Sequence, residues 1–261
     1  MIVYKISWKS YIADLYVPDK KGNKVVILLP GLPKSSNIES IVKTFLASGC
    51  VVIYPNFSGT FDSGGLFSGA QSIKDVKVFI EWAQKTEVTE IYFNKKIKLG
   101  AKNKIILAGM SFGAYIVLNG CNDKIDKLLL MSPVLLFNQA EINKIINFDF
   151  KSQTDSLVLF LIKAFSYTYR IKSENNLREF VYGNSKNQSQ EYIQTLLSSL
   201  KIPTLCIHGK IDTSVPWNIS NALGQSVKNT MIEWKFPKVG HSTSSYNKGV
   251  INSITEFIKE S

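Results

Sequence analysis

The chain opens with alternating apolar and polar positions and continues with short apolar runs separated by segments of helical spacing. The alternation at residues 2–8 and 11–17 predicts a β pair. Buried strands are predicted at 24–30, 50–55, 104–109, 127–133, 203–208 and 231–236. Helical spacing occurs at 38–47, 71–84, 112–119, 217–227 and 245–259. This order predicts an α/β fold whose mostly parallel, eight-stranded sheet has helices on both faces.

One long segment interrupts this order. From about Phe137 to Leu200 no buried-strand pattern occurs, and its aromatic-rich segments have helical spacing. So long an insertion is rarely bare loop, so we predict a helical cap at 137–200 on a core formed by 1–136 and 201–261. It follows the C-terminal end of a strand, where α/β sheets bind ligands, which favours a lid over a side domain that only packs on the core.

The formal charge of +11 raises the question of nucleic-acid binding. Only Arg170 and Arg178 of the 31 basic residues are arginines, so 29 are scattered lysines. Nucleic-acid readers cluster their charge and use arginine forks for phosphates and base edges. Dispersed lysines indicate a solvated surface, and we expect no nucleic-acid partner.

No segment predicts a membrane span or a secretory leader. The most apolar stretch, 156–165, is interrupted by Lys163 and is too short to cross a bilayer. The odd set Cys50, Cys121 and Cys206 has no metal or redox spacing and predicts buried free thiols in a reducing compartment. We therefore expect a cytoplasmic protein without stable membrane insertion.

The stretch KIILAGMSFGAYIVLN places Ser111 in a Gly-x-Ser-x-Gly motif between a strand-like run and a helix-compatible run. Gly109 and Gly113 permit the tight turn that such a nucleophile needs. At the start of the following helix, the backbone N–H of Phe112 can donate to a developing oxyanion. A serine hydroxyl is a weak nucleophile, so this hypothesis requires a base and a group that orients it.

Two histidines are available as the base. His208 ends a buried strand, which favours a structural role, whereas His241 lies in a loop of small residues after the last predicted strand. Asp212, in the loop after His208, is the candidate carboxylate. The order serine, aspartate, histidine is that of hydrolases with a nucleophile elbow.

Four motifs in this order resemble those of the α/β-hydrolase superfamily, and the likeness covers essentially the whole chain. They are VVILLPGLP, IYPNFSGTFDSGG, HGKIDTSVP and GHS. The resemblance implies Ser111 as nucleophile, Asp212 as catalytic acid and His241 as base, with the N–H groups of Leu32 and Phe112 as oxyanion donors. The chain departs from the family pattern at Pro30, Ser58 and Phe61, where histidine, arginine and glycine are usual; these departures concern the oxyanion loop and its support.

Within the superfamily, the chain resembles capped carboxylesterases, monoacylglycerol lipases and feruloyl esterases, which implies ester hydrolysis through an acyl-enzyme. The alternatives are a serine peptidase of the acylaminoacyl or prolyl oligopeptidase type and a non-catalytic binding protein. The expected partner is a small-molecule acyl ester, and a homodimer is left open. Two histidines and three dispersed cysteines build no plausible zinc site, so no metal and no cofactor are expected.

The predicted cap is rich in apolar side chains that would suit an acyl chain. The aromatic ones are Phe148, Phe150, Phe160, Phe165, Tyr167 and Tyr169, and the aliphatic ones are Leu157, Leu159 and Leu161. They predict a preference for medium acyl chains over acetyl.

Overall fold

The computed structural model describes residues 2–34, 37–100, 103–149, 155–156, 163, 167–171, 173 and 189–260. The cap residues Phe150, Leu157, Leu159, Phe160, Leu161 and Phe165 therefore lie outside the described residues. Within the described part of the chain, no helix is long and apolar enough to cross a membrane.

The described residues form one twisted sheet of ten strands. In chain order they are β1 (Ile2–Trp8), β2 (Tyr11–Val17), β3 (Lys24–Leu29), β4 (Val51–Pro55), β5 (Glu87–Glu90), β6 (Lys96–Lys98), β7 (Lys104–Met110), β8 (Lys127–Met131), β9 (Thr204–Ile207) and β10 (Ile232–Lys235). Their spatial order is β10-β9-β8-β7-β3-β4-β2-β1-β5-β6. Neighbouring strands from β10 to β4 are parallel, and those from β4 to β6 are antiparallel.

The described helices lie on both faces of this sheet. They are α1 (Glu39–Ala47), α2 (Gly69–Ala83), α3 (Phe112–Gly120), α4 (Gln139–Asn143), α5 (Gln190–Ser199), α6 (Trp217–Ser226) and α7 (Lys248–Lys259). A 3₁₀ turn, Thr243–Ser245, precedes α7. The eight predicted strands and the five predicted helices of the core are all present.

Side-chain alternation in the central strands divides the apolar core into two layers. Along β3, Val25 and Ile27 pack with the helices α2, α3, α5 and α6, whereas Val26 and Leu28 pack with α1 and α7. Both faces of the parallel strands inside the sheet are thus buried, which explains why their sequences are continuous apolar runs rather than alternating ones. The predicted buried strand at 231–236 is the exception, because β10 lies at the edge of the sheet and only Ile232 in it is buried.

The predicted count of eight strands was wrong, because the hairpin of β5 and β6 adds two. Its two strands have the sequences EVTE and KIK, in which the only apolar residues are Val88 and Ile97, both buried. This polar hairpin extends the antiparallel edge beyond β1, where a strand needs little burial. Short polar strands at a sheet edge carry almost no apolar signal in a sequence.

The predicted cap is described only in part. Its last helix, α5, packs on the core through the fully buried Ile193 and Leu197. Tyr192 donates its hydroxyl hydrogen to Asn119 Oδ1, at 3.0 Å, near the end of α3. Residues 167–171 instead lie on the loop that follows β4. The division into a core and a cap at 137–200 remains a prediction.

The three cysteines are free. Cys50 and Cys206 are buried as expected, whereas Cys121, just after α3, is only partly buried. Burial raises the pKa of the Cys50 thiol and of the Cys121 thiol to about 11.

Candidate active site

Ser111 lies at the turn between β7 and α3 in a strained backbone conformation. Its φ of 54° and ψ of −117° are unusual for a residue with a side chain. The turn is held by the neighbouring strand and loop: Ser111 donates its N–H to the Met131 carbonyl at 2.9 Å, and its own carbonyl accepts from Ala114 at 3.1 Å and Val134 at 3.3 Å. The strain is therefore maintained by hydrogen bonds to both sides of the turn.

The two glycines of the motif permit close contact between the strand, the helix and the loop after β3. A Cβ atom on Gly109 would lie 2.3 Å from the Gly113 carbonyl oxygen, and one on Gly113 would lie 2.4 Å from the Pro30 oxygen. No side chain fits at either position without moving backbone. The motif thus keeps its glycines for packing as well as for the turn.

The loop after β3 passes directly beside Ser111. A Cβ atom on Gly31 would lie 3.4 Å from Ser111 Cβ, and Leu32, the predicted oxyanion donor, follows Gly31. The Leu32–Pro33 peptide bond is cis. Phe112, the other predicted donor, is the first residue of α3, and the first N–H groups of a helix point out of its N-terminus. Both predicted donors are therefore close to Ser111 along the chain or across the turn.

Lys34 anchors the end of the loop after β3, residues 30–34, which is called the oxyanion loop for its predicted role. Its backbone N–H donates to the hydroxyl of Tyr169 at 2.8 Å, and its ammonium donates to Asn56 Oδ1 at 2.6 Å. The ammonium also lies 3.6 Å from Asp14 Oδ2 and 4.0 Å from the centre of the Tyr54 ring. Burial lowers the pKa of Lys34 to about 8, and Asp14 only partly opposes this.

Asp212, in the loop after β9, accepts hydrogen bonds at both carboxylate oxygens. Oδ1 accepts from the backbone N–H groups of Ser214 and Val215, each at 2.9 Å. Oδ2 accepts from His241 Nδ1 at 2.7 Å and lies 3.2 Å from His208 Nε2. Burial alone would raise the pKa of Asp212, but the bonds from the two histidines and the backbone outweigh it and hold the pKa well below its usual range.

The loop of Asp212 and the loop of His241 are joined through their backbones. Ile211 donates its N–H to the Val239 carbonyl at 3.2 Å. A Cβ atom on Gly209 would lie 2.0 Å from that same carbonyl oxygen, so the two loops approach this closely only with glycine there. The side chain of His241 is one quarter exposed, so a substrate can approach it from solvent.

The structure brings Asp212 and His241 into a hydrogen bond and places Ser111 beside the oxyanion loop. Within the described residues, no hydrogen bond joins the Ser111 hydroxyl to His241. Ser111, Asp212 and His241 all follow the C-terminal ends of parallel strands at one edge of the sheet. That the three act together as a triad remains a prediction.

Ser58 stands where the family pattern has arginine, and it bonds to a buried carboxylate. It donates from its backbone N–H at 2.7 Å and from its hydroxyl at 2.8 Å to Asp75 of α2, which is fully buried. Asp75 also accepts from the Tyr11 hydroxyl and from the Gln71 amide, each at 2.9 Å. Neutral hydrogen-bond donors thus satisfy the Asp75 carboxylate, with which an arginine at position 58 could otherwise form an ion pair.

Phe61 stands where glycine is usual and has a φ of 48°, in the left-handed region that glycine favours. Arg170, from the predicted cap, stabilises this loop by donating to the carbonyls of Phe61 at 2.9 Å, of Ser63, and of Gly65 at 3.4 Å. The departures at Ser58 and Phe61 are thus accommodated by hydrogen bonds with residues distant in the sequence.

A row of aromatic rings leads from the nucleophile turn to this loop. The ring centroids of Phe112 and Phe67 are 6.2 Å apart, those of Phe67 and Tyr169 are 5.2 Å apart, and those of Tyr169 and Phe61 are 5.8 Å apart. Phe61, at the end of the row, is only partly buried. The other three rings are almost fully buried, so the row packs this loop against the nucleophile turn and exposes apolar surface only at Phe61.

The sequence predicted a structural role for His208 and an acyl contact for Tyr169, but it did not predict that they contact Asp212 and Lys34, and it gave Arg170 no role in the site. His208 could have been found from its spacing four residues before Asp212 in HGKIDTSVP. Tyr169 and Arg170 had no such signal, because their contacts with residues 34 and 61–65 span more than a hundred positions. Within the described residues, no group of three or more histidine, cysteine or acidic side chains could hold a metal ion.

Comparison with known proteins decides the fold. Three solved structures superpose on nearly the whole chain. The α/β hydrolase GrgF from Penicillium sp. sh18 has 14% sequence identity and a TM-score of 0.70, and the superposition covers 99% of this chain and 98% of that one. The esterase Pf2001 from Pyrococcus furiosus has 19% identity and a TM-score of 0.65, covering 99% of this chain and 91% of that one; Est1E from Butyrivibrio proteoclasticus has 17% identity and a TM-score of 0.63, covering 98% and 97%. The chain has the α/β-hydrolase fold.

A family model adds information on chemistry to the α/β-hydrolase fold. The model of the X-Pro dipeptidyl-peptidases (S15 family) matches residues 11–139, from β2 to the start of α4. This range includes the oxyanion loop and Ser111 but neither Asp212 nor His241. None of the curated proteins matches the sequence at a significant level. The match supports a hydrolase.

Proposed function

We propose that the protein is a serine hydrolase that cleaves carboxylic esters through Ser111, His241 and Asp212. The observation that carries the proposal is the 2.7 Å hydrogen bond from His241 Nδ1 to Asp212 Oδ2, at the sheet edge from which Ser111 also emerges. An aspartate bound to one imidazole nitrogen leaves the other nitrogen to accept a proton from a hydroxyl nucleophile.

The proposed reaction begins with attack of Ser111 Oγ on the acyl carbonyl while His241 Nε2 takes the hydroxyl proton. The N–H groups of Leu32 and Phe112 stabilise the oxyanion, and Asp212 supports the imidazolium. His241 then protonates the leaving alcohol, and the acyl group stays on Ser111 as an ester. A water molecule, deprotonated by His241, attacks that ester, and release of the carboxylic acid regenerates the serine.

A serine peptidase is the second candidate, because the family model that matches residues 11–139 describes a peptidase. Esters and amides share the acyl-enzyme chemistry and differ in the leaving group, so the same triad serves both. We favour esters because Est1E, a structure with ferulic acid bound, and Pf2001, an esterase, superpose on 98–99% of the chain. A binding protein without catalysis is the third candidate.

Labelling with a fluorophosphonate probe tests for an activated serine. We expect the wild-type protein to be labelled on Ser111, as located by mass spectrometry of the peptide, and Ser111→Ala to remain unlabelled. Ser132→Ala is the matched control. Ser132 also directly follows a parallel strand, β8, but it is fully buried, so its replacement should leave labelling unchanged. Absence of labelling in the wild type would favour the binding protein.

Substrate comparison separates the two enzymatic candidates. We expect hydrolysis of p-nitrophenyl esters with a kcat/KM at least about a hundredfold above that for the p-nitroanilide of an X-Pro dipeptide, after correction for the uncatalysed rates. The reverse ranking would identify a peptidase.

A further inference from the structure

A second histidine, His208, lies directly behind the Asp212–His241 pair. It is the first residue after β9 and is fully buried. Its Nδ1 is 2.7 Å from the hydroxyl oxygen of Ser220 in α6. Its Nε2 is 3.0 Å from the Val215 carbonyl oxygen and 3.2 Å from Asp212 Oδ2. The proposed reaction has no step for this imidazole.

The partners of His208 determine where its proton lies. Nε2 faces a carbonyl oxygen and a carboxylate oxygen, both of which can only accept, so Nε2 carries the hydrogen. The Ser220 hydroxyl can donate, and its hydrogen satisfies Nδ1. This arrangement fits a neutral imidazole with the proton on Nε2, directed between the Val215 carbonyl oxygen at 3.0 Å and Asp212 Oδ2 at 3.2 Å.

The Nε2–H group of His208 and the imidazole of His241 contact the same oxygen of Asp212. Oδ2 of Asp212 is shared by the two imidazoles, while Oδ1 is held by the N–H groups of Ser214 and Val215. Val215 contributes to both sides, since its N–H binds Asp212 and its carbonyl binds His208. Removing the His208 N–H would leave Oδ2 held only by His241.

We propose that His208 is a positioning residue, whose Nε2–H holds Oδ2 of Asp212 where it accepts the His241 Nδ1 hydrogen. Ser220 acts one step further away by fixing the tautomer of His208. This inference rests on the proposed function for its effect on rate, but its effect on the Asp212–His241 hydrogen bond is independent of any substrate.

Three variants of the full-length protein test the inference. His208→Leu removes the N–H, His208→Gln keeps an amide N–H at a similar distance, and Ser220→Ala leaves the imidazole but frees its tautomer. Cys206→Ala is the control for packing, because Cys206 is fully buried in β9, two residues before His208. Each variant is examined for kcat and KM with a p-nitrophenyl ester, for thermal unfolding, and for the downfield ¹H NMR resonance of the His241 Nδ1 hydrogen.

We expect His208→Leu to lower kcat by about tenfold or more and to change KM less than about twofold, because a bond to a charged group in the catalytic pair is lost. Its downfield resonance should shift or broaden. His208→Gln should restore most of kcat and the resonance, Ser220→Ala should lie between them, and Cys206→Ala should lower the unfolding temperature alone.

Equal loss of kcat in the Leu and Gln variants, or an unchanged resonance in His208→Leu, would overturn the inference. If His208→Leu does not fold, Ser220→Ala decides: an unchanged resonance and kcat count against the inference. Failure of the proposed function gives a different result, because the wild type would then neither react with a fluorophosphonate nor hydrolyse esters. The resonance of the His241 Nδ1 hydrogen would still report the effect of His208 on the Asp212–His241 hydrogen bond.

Discussion

The hydroxyl of Tyr169 accepts the backbone N–H of Lys34 at 2.8 Å and so joins the predicted cap to the oxyanion loop. Tyr169 is almost fully buried between the rings of Phe61 and Phe67. Lys34 comes two residues after Leu32, the proposed oxyanion donor. A contact made by a residue of the predicted cap thus fixes the loop on which the proposed transition-state stabilisation depends.

Tyr169→Phe should therefore lower activity while retaining the ring contacts. A single neutral hydrogen bond is worth about 1 kcal/mol, so we expect kcat/KM for a p-nitrophenyl ester to fall by about fivefold, mainly through kcat. Tyr192→Phe is the matched control, because it removes a 3.0 Å hydroxyl bond to Asn119 far from the oxyanion loop along the chain. Equal effects of the two variants on kcat would show that the Tyr169 hydroxyl does not act through the loop.

The sequence predicted the central strands and the site motifs because both depend on local patterns. The apolar run before Ser111 and the glycines beside it follow from the buried parallel strand and from the close packing of β7 on α3. Asp212 and His241 lie in the loops that follow β9 and β10, which pair in parallel, so their meeting follows from the parallel order of the sheet.

Other features depend on contacts that no local pattern records. The hairpin of β5 and β6 pairs with β1 and adds only Val88 and Ile97 to the apolar core, too few to form a pattern in the sequence. Arg170 binds the loop at Phe61 across more than a hundred positions. The sequence alone therefore left open which residues would compensate for the unusual Ser58 and Phe61.

Asp212→Asn should lower kcat by about ten thousandfold at neutral pH. The amide cannot support the imidazolium, and it disfavours the histidine tautomer that accepts the serine proton. The rate of hydrolysis of an activated ester and the rate of fluorophosphonate labelling both measure the loss. Asp126→Asn is the control, since Asp126 Oδ2 accepts a 2.7 Å hydrogen bond from Ile105, at the start of β7, away from the site. A loss below about a hundredfold would place the catalytic carboxylate elsewhere.

Asp212 should also stabilise the fold in a pH-dependent way. Its pKa in the folded protein lies below the ordinary value of 3.8. The ionised carboxylate therefore stabilises the folded state above that value, and this contribution is lost as the pH falls below it. We expect the difference in unfolding free energy between wild type and Asp212→Asn to be largest above about pH 5 and to shrink towards pH 3. Urea unfolding across that range measures it, and a constant difference would contradict the assignment.

Ser111→Ala and His241→Ala should each reduce turnover of an activated ester by roughly 10⁴- to 10⁶-fold. The double variant should lose little more than either single one, because the two residues act on the same proton transfer. Single-turnover kinetics with purified proteins test this. If the losses multiply, or if Ser111→Ala keeps a tenth of the activity, Ser111 and His241 do not form one catalytic unit.

The partly buried ring of Phe61 should favour medium acyl chains over acetyl. It is the partly exposed end of the aromatic row that starts at Phe112, beside the nucleophile, so an acyl chain that reaches it would bury methylene groups against it. Each buried methylene contributes about 0.8 kcal/mol, and two should raise kcat/KM by roughly tenfold. Phe61→Ala should flatten this preference and leave acetyl-ester turnover nearly unchanged, while Phe61→Leu should retain part of it. Tyr167→Ala is the control, because that cap residue is 95% exposed. If acetyl esters are the best substrates, or if Phe61→Ala slows all chain lengths equally, the aromatic row packs the loop and does not contact the acyl chain.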